Sequence, residues 1–285
     1  MKTQKKKKPF EWGYLLLLPG LGYILFFILL AVYRMAAQSV GFYNYMGESH
    51  FTLEYWQGVF EPAFFDDLWF SFRTAILTAF ISIVICYILS FLLQATPGRK
   101  VFLSLLKVPM FIPGLVASFL IVNIIDYQGI VNLILIALHL IDEPLQLRND
   151  AAGIGALAVQ IWKNIPFQLI IMYSAIDAVR KDVKDAARNL GANQFQLITR
   201  IVLPISLPSA LVAVIMVFIR TFNDFAIAKT AGPLYPTSIS NLMYLHAYTF
   251  GEWNAAACIG VMMMATSIIF VAFYTYIAKK IAEYT

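Results

Sequence analysis

Charged residues are scarce in this 285-residue sequence, where Asp, Glu, Lys and Arg together make up 13% of the chain. Soluble domains carry about 25% charged residues, so the composition excludes an ordinary soluble protein. Hydrophobic residues account for 60% of the sequence, and the mean hydropathy is +0.74. These values predict a protein that crosses a membrane several times.

Sequence motifs typical of catalytic or metal-binding sites are also absent. The chain has only two cysteines, Cys86 and Cys258, and both fall in apolar runs, which predicts small buried side chains rather than a disulfide or a metal site. It contains no G-x-x-x-x-G-K-[ST] nucleotide loop, no H-E-x-x-H pair and no nucleophile elbow. We therefore expect no catalytic residue, no metal and no cofactor in this chain, and an intramembrane enzyme has no nucleophile and base to support it.

Long apolar runs are what the sequence does have. A helix needs about 20 apolar residues to cross the hydrocarbon core of a bilayer. Six runs meet that length, at approximately 12–33, 74–93, 101–125, 151–176, 201–219 and 255–278. A seventh run, 130–141, is about half as long and predicts an interfacial or re-entrant helix. The sequence predicts a basic N-terminal segment, 1–11, followed by one all-α membrane domain, 12–285, with six transmembrane helices.

The basic residues are distributed unevenly between the connecting segments. Lys and Arg precede the first span and follow the second, fourth and sixth, whereas Asp and Glu concentrate in the other loops. By the positive-inside rule, both termini and the loop after the fourth span are cytoplasmic. The net charge of +5 thus reflects membrane topology, and we expect contact with lipid but not with nucleic acid.

A few polar residues interrupt the predicted spans, and intramembrane polar groups are frequently functional. Lys163 lies near the middle of the fourth span, where a structural ion pair or backbone contact beside Pro166 and a role in lining a path are equally good interpretations. Arg220 and Asp224 have the four-residue spacing of a helical ion pair. The candidate residues for a translocation path are Asn123, Trp162, Lys163, Asn223 and Asp224.

The predicted cytoplasmic loop, 177–204, has its own pattern. The run VKDAARNL favours a helix, and its acidic residues Asp182 and Asp185 suit a helix N-terminus. Gly191 then permits a sharp end, and QFQLITRIVL predicts a second helix leading to Pro204. A simple connection needs only a few residues, so this longer segment predicts a docking surface.

The spacing within this loop resembles the signature of ABC importer permeases: Glu-Ala-Ala, three residues, Gly, nine residues, then Ile-x-Leu-Pro. Here the positions are Asp185-Ala186-Ala187, Gly191 and Ile201-Val202-Leu203-Pro204, with Asp in place of the usual Glu. The resemblance implies the type I importer permease fold and a coupling helix that docks on a cytoplasmic ATPase. The residues it assigns to docking are Lys184, Asp185, Ala186, Ala187, Arg188, Gly191, Ala192 and Pro204.

The same resemblance implies a bacterial plasma-membrane complex. Its other members would be two ABC ATPase subunits that bind ATP and Mg²⁺, a second permease that is homologous or identical, and an extracellular solute-binding protein. A passive channel remains the alternative outside this family, although it gives no reason for a docking loop. Exporters usually carry their nucleotide domain in the same chain and lack this loop pattern.

The finer resemblance concerns the solute. The runs NDAAGIGALAVQIWKNIPF and GPLYPTSISNLMY look most like the permeases grouped with spermidine/putrescine importers. Sugar permeases come next, and related groups carry iron, phosphonates or sulfate. We expect a polyamine-type solute and keep these alternatives open.

Overall fold

The apolar runs form long helices in the computed structural model, which describes residues 13–45 and 47–283. Within those residues the regular structure is entirely helical, as predicted. The four longest helices are α1 (Gly13–Ser39), α3 (Pro62–Ala95), α8 (Ile154–Asp177) and α14 (Trp253–Glu283). The predicted basic segment, 1–11, lies outside the described residues.

Shorter helices fill the rest of the bundle and its two ends. They are α2 (Glu54–Val59), α4 (Arg99–Leu106), α5 (Val108–Phe111), α6 (Gly114–Ile125), α7 (Ile130–Ala137), α9 (Lys181–Asn189), α10 (Gln194–Leu197), α11 (Leu203–Phe222), α12 (Ala226–Ala231) and α13 (Ile239–Tyr244). Two π-helical turns, Ile198–Val202 and Leu245–Thr249, follow α10 and α13.

Six segments of the described chain are long and apolar enough to cross a membrane, which confirms the predicted number. They are Pro19–Ser39, Pro62–Gln94, Gly114–Ala137, Ile154–Asp177, Gln194–Phe222 and Trp253–Lys280. The predicted position of the third was wrong: it begins at Gly114 rather than near 101, and it includes the run 130–141 as far as Ala137. Two prolines, which lack an N–H, account for this: Pro109 lies in the first turn of α5, just after α4 has ended at Leu106, and Pro113 separates α5 from α6.

Proline also shapes the start of the fifth span. Pro204 lies in the first turn of α11, and the π-helical turn Ile198–Val202 comes immediately before it. The Leu203 N–H closes that turn by donating to the Ile198 carbonyl five residues earlier. The chain therefore enters α11 through a widened turn, without a gap between helices.

The centre of the bundle is formed by α3, α8 and α11, whose mutual contacts are the most extensive in the protein. Small residues such as Ala75, Ala79 and Ala213 are fully or almost fully buried there and let the backbones approach closely. Phe218 of α11 stacks on Phe270 of α14 at 3.6 Å between ring centroids. By contrast α1 packs on α14 and leaves most of its apolar side chains exposed, as expected for a surface that meets lipid or another subunit.

Candidate docking loop and translocation path

The loop predicted to dock, 177–204, contains a well-defined helix, α9. Asp182 lies in its first turn, where a negative charge is favourable, and pairs with Arg180. Gly191 adopts a φ of +85°, a conformation that favours glycine. The Ala192 N–H donates to the Ala187 carbonyl at 3.0 Å and the Gly191 N–H to the Arg188 carbonyl at 2.9 Å. This pair of bonds is a Schellman motif, so the predicted end of the helix is confirmed.

A second capping motif lies at the start of α10, directly after this turn. The Asn193 side chain accepts from the Gln196 N–H at 2.8 Å, and the Gln196 side chain accepts from the Asn193 N–H at 3.0 Å. This reciprocal pair is a capping box, which fixes where α10 begins. The turn between the helices is thus only 190–193, and hydrogen bonds hold it on both sides.

Apolar packing holds the loop against the bundle. Ala187 is buried with Ile176, Val179, Leu197 and Val202 in a cluster at this end of α8 and α11. The Lys184 Nζ donates to the Ile176 carbonyl at 3.3 Å, at the end of α8. These contacts join α9 to the fourth and fifth spans.

The residues predicted for docking therefore divide into two groups. Ala186 and Arg188 are exposed on α9, and Arg188 pairs with Asp185 at 3.0 Å. Ala187 instead faces the bundle, and Pro204 is half-buried at the start of α11. Close approach of another protein at the Ala-Ala pair is therefore possible at Ala186 but not at Ala187.

Two apolar residues are exposed at the tip of the loop, and the sequence alone did not identify them as docking residues. Leu190 is 90% exposed and Phe195 is 74% exposed, on either side of the Gly191 turn. The available signal was a pair of large apolar side chains flanking a glycine turn in an otherwise polar loop. Large apolar side chains exposed in a polar loop are available to contact another protein.

The side chain of Lys163 binds backbone carbonyls just before the third span, where Pro113 interrupts the helix. Its Nζ donates to the Pro109 carbonyl at 2.6 Å and to the Ile112 carbonyl. The helical partner of the Pro109 carbonyl would be the N–H of residue 113, which proline lacks. The backbone-contact interpretation of Lys163 is therefore confirmed, and its contact lies at Pro113 rather than at Pro166.

Three of the other predicted path residues make hydrogen bonds to groups three or four residues away in the sequence. The Asn123 side chain donates to the Phe119 carbonyl and that of Asn223 to the Ile219 carbonyl, each within its own helix, and both residues are exposed. Asp224 accepts from the Ile227 N–H at 2.7 Å and so caps α12. Trp162 is half-buried on α8.

The predicted helical ion pair between Arg220 and Asp224 is not formed. Helix α11 ends at Phe222, so Asp224 lies beyond the helical register that would place it beside Arg220. The Arg220 guanidinium instead lies over the Phe167 ring at 5.1 Å. This cation–π contact keeps Arg220 against α8.

A buried polar stripe on α8 was also missed in part. Gln160, Asn164 and Gln168 recur every four residues and are 4%, 3% and 0% exposed. The Asn164 amide contacts Gln160 and Thr221, and the Gln168 amide donates to backbone carbonyls of α3 and α11. The four-residue spacing, which places the three side chains on one helix face, was the signal available in the sequence. This stripe joins the three central helices.

The distal end is the end of the bundle opposite the docking loop. Three hydrogen bonds accepted by side chains of α3 hold it together. The Tyr235 hydroxyl donates to Asp66 at 2.6 Å, and this bond raises the pKa of Tyr235 above its ordinary value. The Thr237 N–H donates to Asp67 at 2.6 Å and the Ile239 N–H to Ser71 at 2.7 Å. Residues 235–239 are thereby held on the start of the second span.

Comparison with known proteins supports the resemblance. Residues 83–283 match the family described as binding-protein-dependent transport system inner membrane component. The spermidine/putrescine permease PotB of Haemophilus influenzae is 23% identical over 257 residues, covering 87% of this chain and 88% of PotB. The trehalose/maltose permease MalF of Thermococcus litoralis is also 23% identical, over 97% of each chain.

A solved structure shares the fold. A chain of a bacterial ABC transporter that imports the acidic polysaccharide alginate has a TM-score of 0.78 with this protein at 18% identity, covering 94% of this chain and 96% of that one. The family match covers most of the sequence, and six apolar segments agree with a multi-pass protein of the bacterial inner membrane. The chain belongs to the binding-protein-dependent transport system inner membrane component family and is a permease subunit of an ABC importer.

Proposed function

We propose that the docking loop is the point at which partner ATPases drive this permease. The observation that supports it is the tip of the loop, where Leu190 and Phe195 are exposed on either side of a turn that hydrogen bonds hold on both sides. Around this tip lie the predicted docking residues Lys184, Asp185, Ala186, Arg188 and Gly191. ATP and Mg²⁺ would bind to the two ATPase subunits, and this chain would convert their closure into movement of α8 and α11.

The orientation that follows places the docking loop in the cytoplasm and the distal end outside. The charge pattern supports this, because Arg180, Lys181, Lys184, Arg188 and Arg200 all belong to the loop. Both termini then lie in the cytoplasm. A second permease subunit would pair with this one, and an extracellular binding protein would deliver the solute at the distal end.

We propose a polyamine-type solute. Relatives named as spermidine/putrescine permeases support it, and so does the acidic character of the distal end, which suits a cationic solute. A sugar is the second candidate, because the trehalose/maltose permease aligns over 97% of both chains. Alternating access would then move the solute inward as ATP binding and hydrolysis switch the spans between two arrangements.

Uptake into cells tests the solute directly. Bacteria that lack their own polyamine and maltose importers would produce this permease with its partner permease, ATPase and binding protein. We expect uptake of radiolabelled spermidine that excess unlabelled putrescine reduces and excess maltose does not. Uptake of labelled maltose without uptake of spermidine would replace the polyamine assignment with the sugar.

A further inference from the structure

A cavity of about 700 Å³ opens at the distal end of the bundle. It lies between the loop after α1, helix α2, the start of α3 and the start of α14. Its volume falls within the range of about 300–1,000 Å³ that small-molecule sites occupy. The cavity is therefore large enough to enclose a small organic ligand.

The charged groups that line the cavity are all acidic at neutral pH. Four carboxylates do so, those of Glu54, Glu61, Asp67 and Glu252, and no Lys or Arg is among the lining residues. His246 also lines it and contacts Glu252 at 2.8 Å. A concave surface with one sign of charge concentrates ions of the opposite sign, so this cavity attracts cations.

Aromatic rings form the other part of the lining. They belong to Tyr45, Tyr55, Phe64 and Trp253, and the rings of Tyr45 and Trp253 lie 6.0 Å apart. Ring faces attract ammonium groups and also pack against methylene chains. The combination of carboxylates and rings suits a cation whose charges are joined by apolar carbon.

The spacing of the carboxylates favours such a ligand over a metal ion. In the described part of the chain, no group of three or more His, Cys, Asp or Glu side chains lies close enough together to hold a metal. The four carboxylates of the cavity come from different segments: Glu54 lies in α2, Glu61 precedes α3, Asp67 lies in α3 and Glu252 precedes α14. A ligand that satisfies several of them must itself carry separated charges.

The burial of Asp67 is an independent observation that favours a cationic ligand. Asp67 is only 3% exposed, and its Oδ1 accepts one hydrogen bond, from the Thr237 N–H. None of the ion pairs within the described residues includes it. A buried carboxylate is costly without a counter-charge, and a cation in the cavity would supply one.

We propose that this cavity binds an organic polyammonium ion, with its ammonium groups on the carboxylates and its methylene chain against the aromatic rings. Binding to the cavity stands on the geometry alone, whereas the identity of the bound ion as the transported solute rests on the proposed function. The site would then hold the solute on the permease itself at the outer surface.

Equilibrium binding of radiolabelled spermidine to the assembled transporter tests this proposal, using nanodiscs of neutral lipid without ATP or binding protein. Gly58 lines the cavity, and a Cβ at this position would meet no atom within 4 Å, so Gly58→Trp fills the cavity without a backbone clash. Glu61→Gln removes one charge at constant shape. The matched control is Glu143→Gln, an exposed acid of another loop that does not line the cavity.

We expect saturable spermidine binding that Gly58→Trp abolishes, that Glu61→Gln weakens about tenfold and that Glu143→Gln leaves unchanged. Maltose should not compete. Absence of spermidine binding, or binding that neither cavity variant alters, would overturn the proposal. So would a Gly58→Trp variant that still binds spermidine but no longer captures the binding protein, because the cavity would then be a protein-docking surface.

The uptake experiment separates this proposal from the proposed solute. If cells import maltose and not spermidine while the purified transporter still binds spermidine in the cavity, the site stands and the proposed solute is wrong. If spermidine is imported equally well by the wild type and by both cavity variants, and binding is also unchanged, the solute assignment stands and the cavity proposal is wrong.

Discussion

Lys163 illustrates how a single residue can make a broken helix tolerable inside a membrane. Carbonyl groups freed by a proline need a partner, because no water is available in the hydrocarbon region. The ammonium group of Lys163 provides it by donating to the carbonyls of Pro109 and Ile112. The sequence around Lys163 predicted a backbone contact as one possibility. It could not predict which carbonyls are bound, because they lie more than 50 residues away along the chain.

Replacing Lys163 with Met should destabilise the protein. The substitution keeps the length of the side chain but leaves two carbonyls at the break unpaired, which costs about 2 kcal/mol. For a chain of this size we expect a fall of about 5 °C in the apparent melting temperature of the assembled transporter in nanodiscs. Lys100→Met, at an exposed lysine in the first turn of α4, is the control and should melt like the wild type. Equal melting of both variants would show that the Lys163 contacts contribute no stability.

At the scale of elements, the docking loop was predictable because its signals are local. Acidic residues at the start of α9, Gly191 at its end and a capping sequence before α10 each act within a few residues. The third span was misplaced because the hydropathy of 101–125 is continuous, and only Pro109 and Pro113 mark the breaks. The pairing of Arg220 with Asp224 failed for a related reason: the predicted spacing assumed that α11 continued past Phe222.

The tip of the docking loop allows a matched test at this scale. Leu190→Asp places a charge on the apolar tip, whereas Leu234→Asp changes an equally exposed leucine, 88% accessible, at the distal end. We expect Leu190→Asp to weaken retention of the ATPase subunits at least tenfold, because burying an unpaired charge in an interface is costly. Copurification of the subunits in detergent measures this. If Leu190→Asp and Leu234→Asp retained the ATPase equally, the apolar tip would not be the contact.

For the molecule as a whole, the number of spans and the class of protein could be read from hydropathy and one spaced motif. The hydrogen bonds between helices could not be predicted from the sequence, because they depend on which helix faces pack together. Gln160 and Gln168 look unremarkable among apolar neighbours until α3 and α11 are packed against them. The distal cavity escaped prediction for the same reason, since its lining comes from segments up to about 200 residues apart.

The proposed orientation of the whole molecule can be tested by cysteine labelling. The two native cysteines, Cys86 and Cys258, are buried, so background labelling should be low. A membrane-impermeant maleimide added to cells with a permeabilised outer membrane should label Leu234→Cys and not Leu190→Cys. In cells that produce this permease without its ATPase subunits, lysis should make Leu190→Cys reactive. Labelling of Leu190→Cys before lysis would place the docking loop outside and reverse the orientation.

The most direct measurement of the central claim is the ATPase activity of the assembled transporter in nanodiscs, with and without solute-loaded binding protein. The wild type is compared with Gly191→Pro, because proline cannot adopt the φ of +85° that ends α9. We predict that loaded binding protein stimulates ATP hydrolysis in the wild type and that a correctly assembled Gly191→Pro transporter loses the stimulation. Stimulation of the same size in both would contradict coupling through the docking loop.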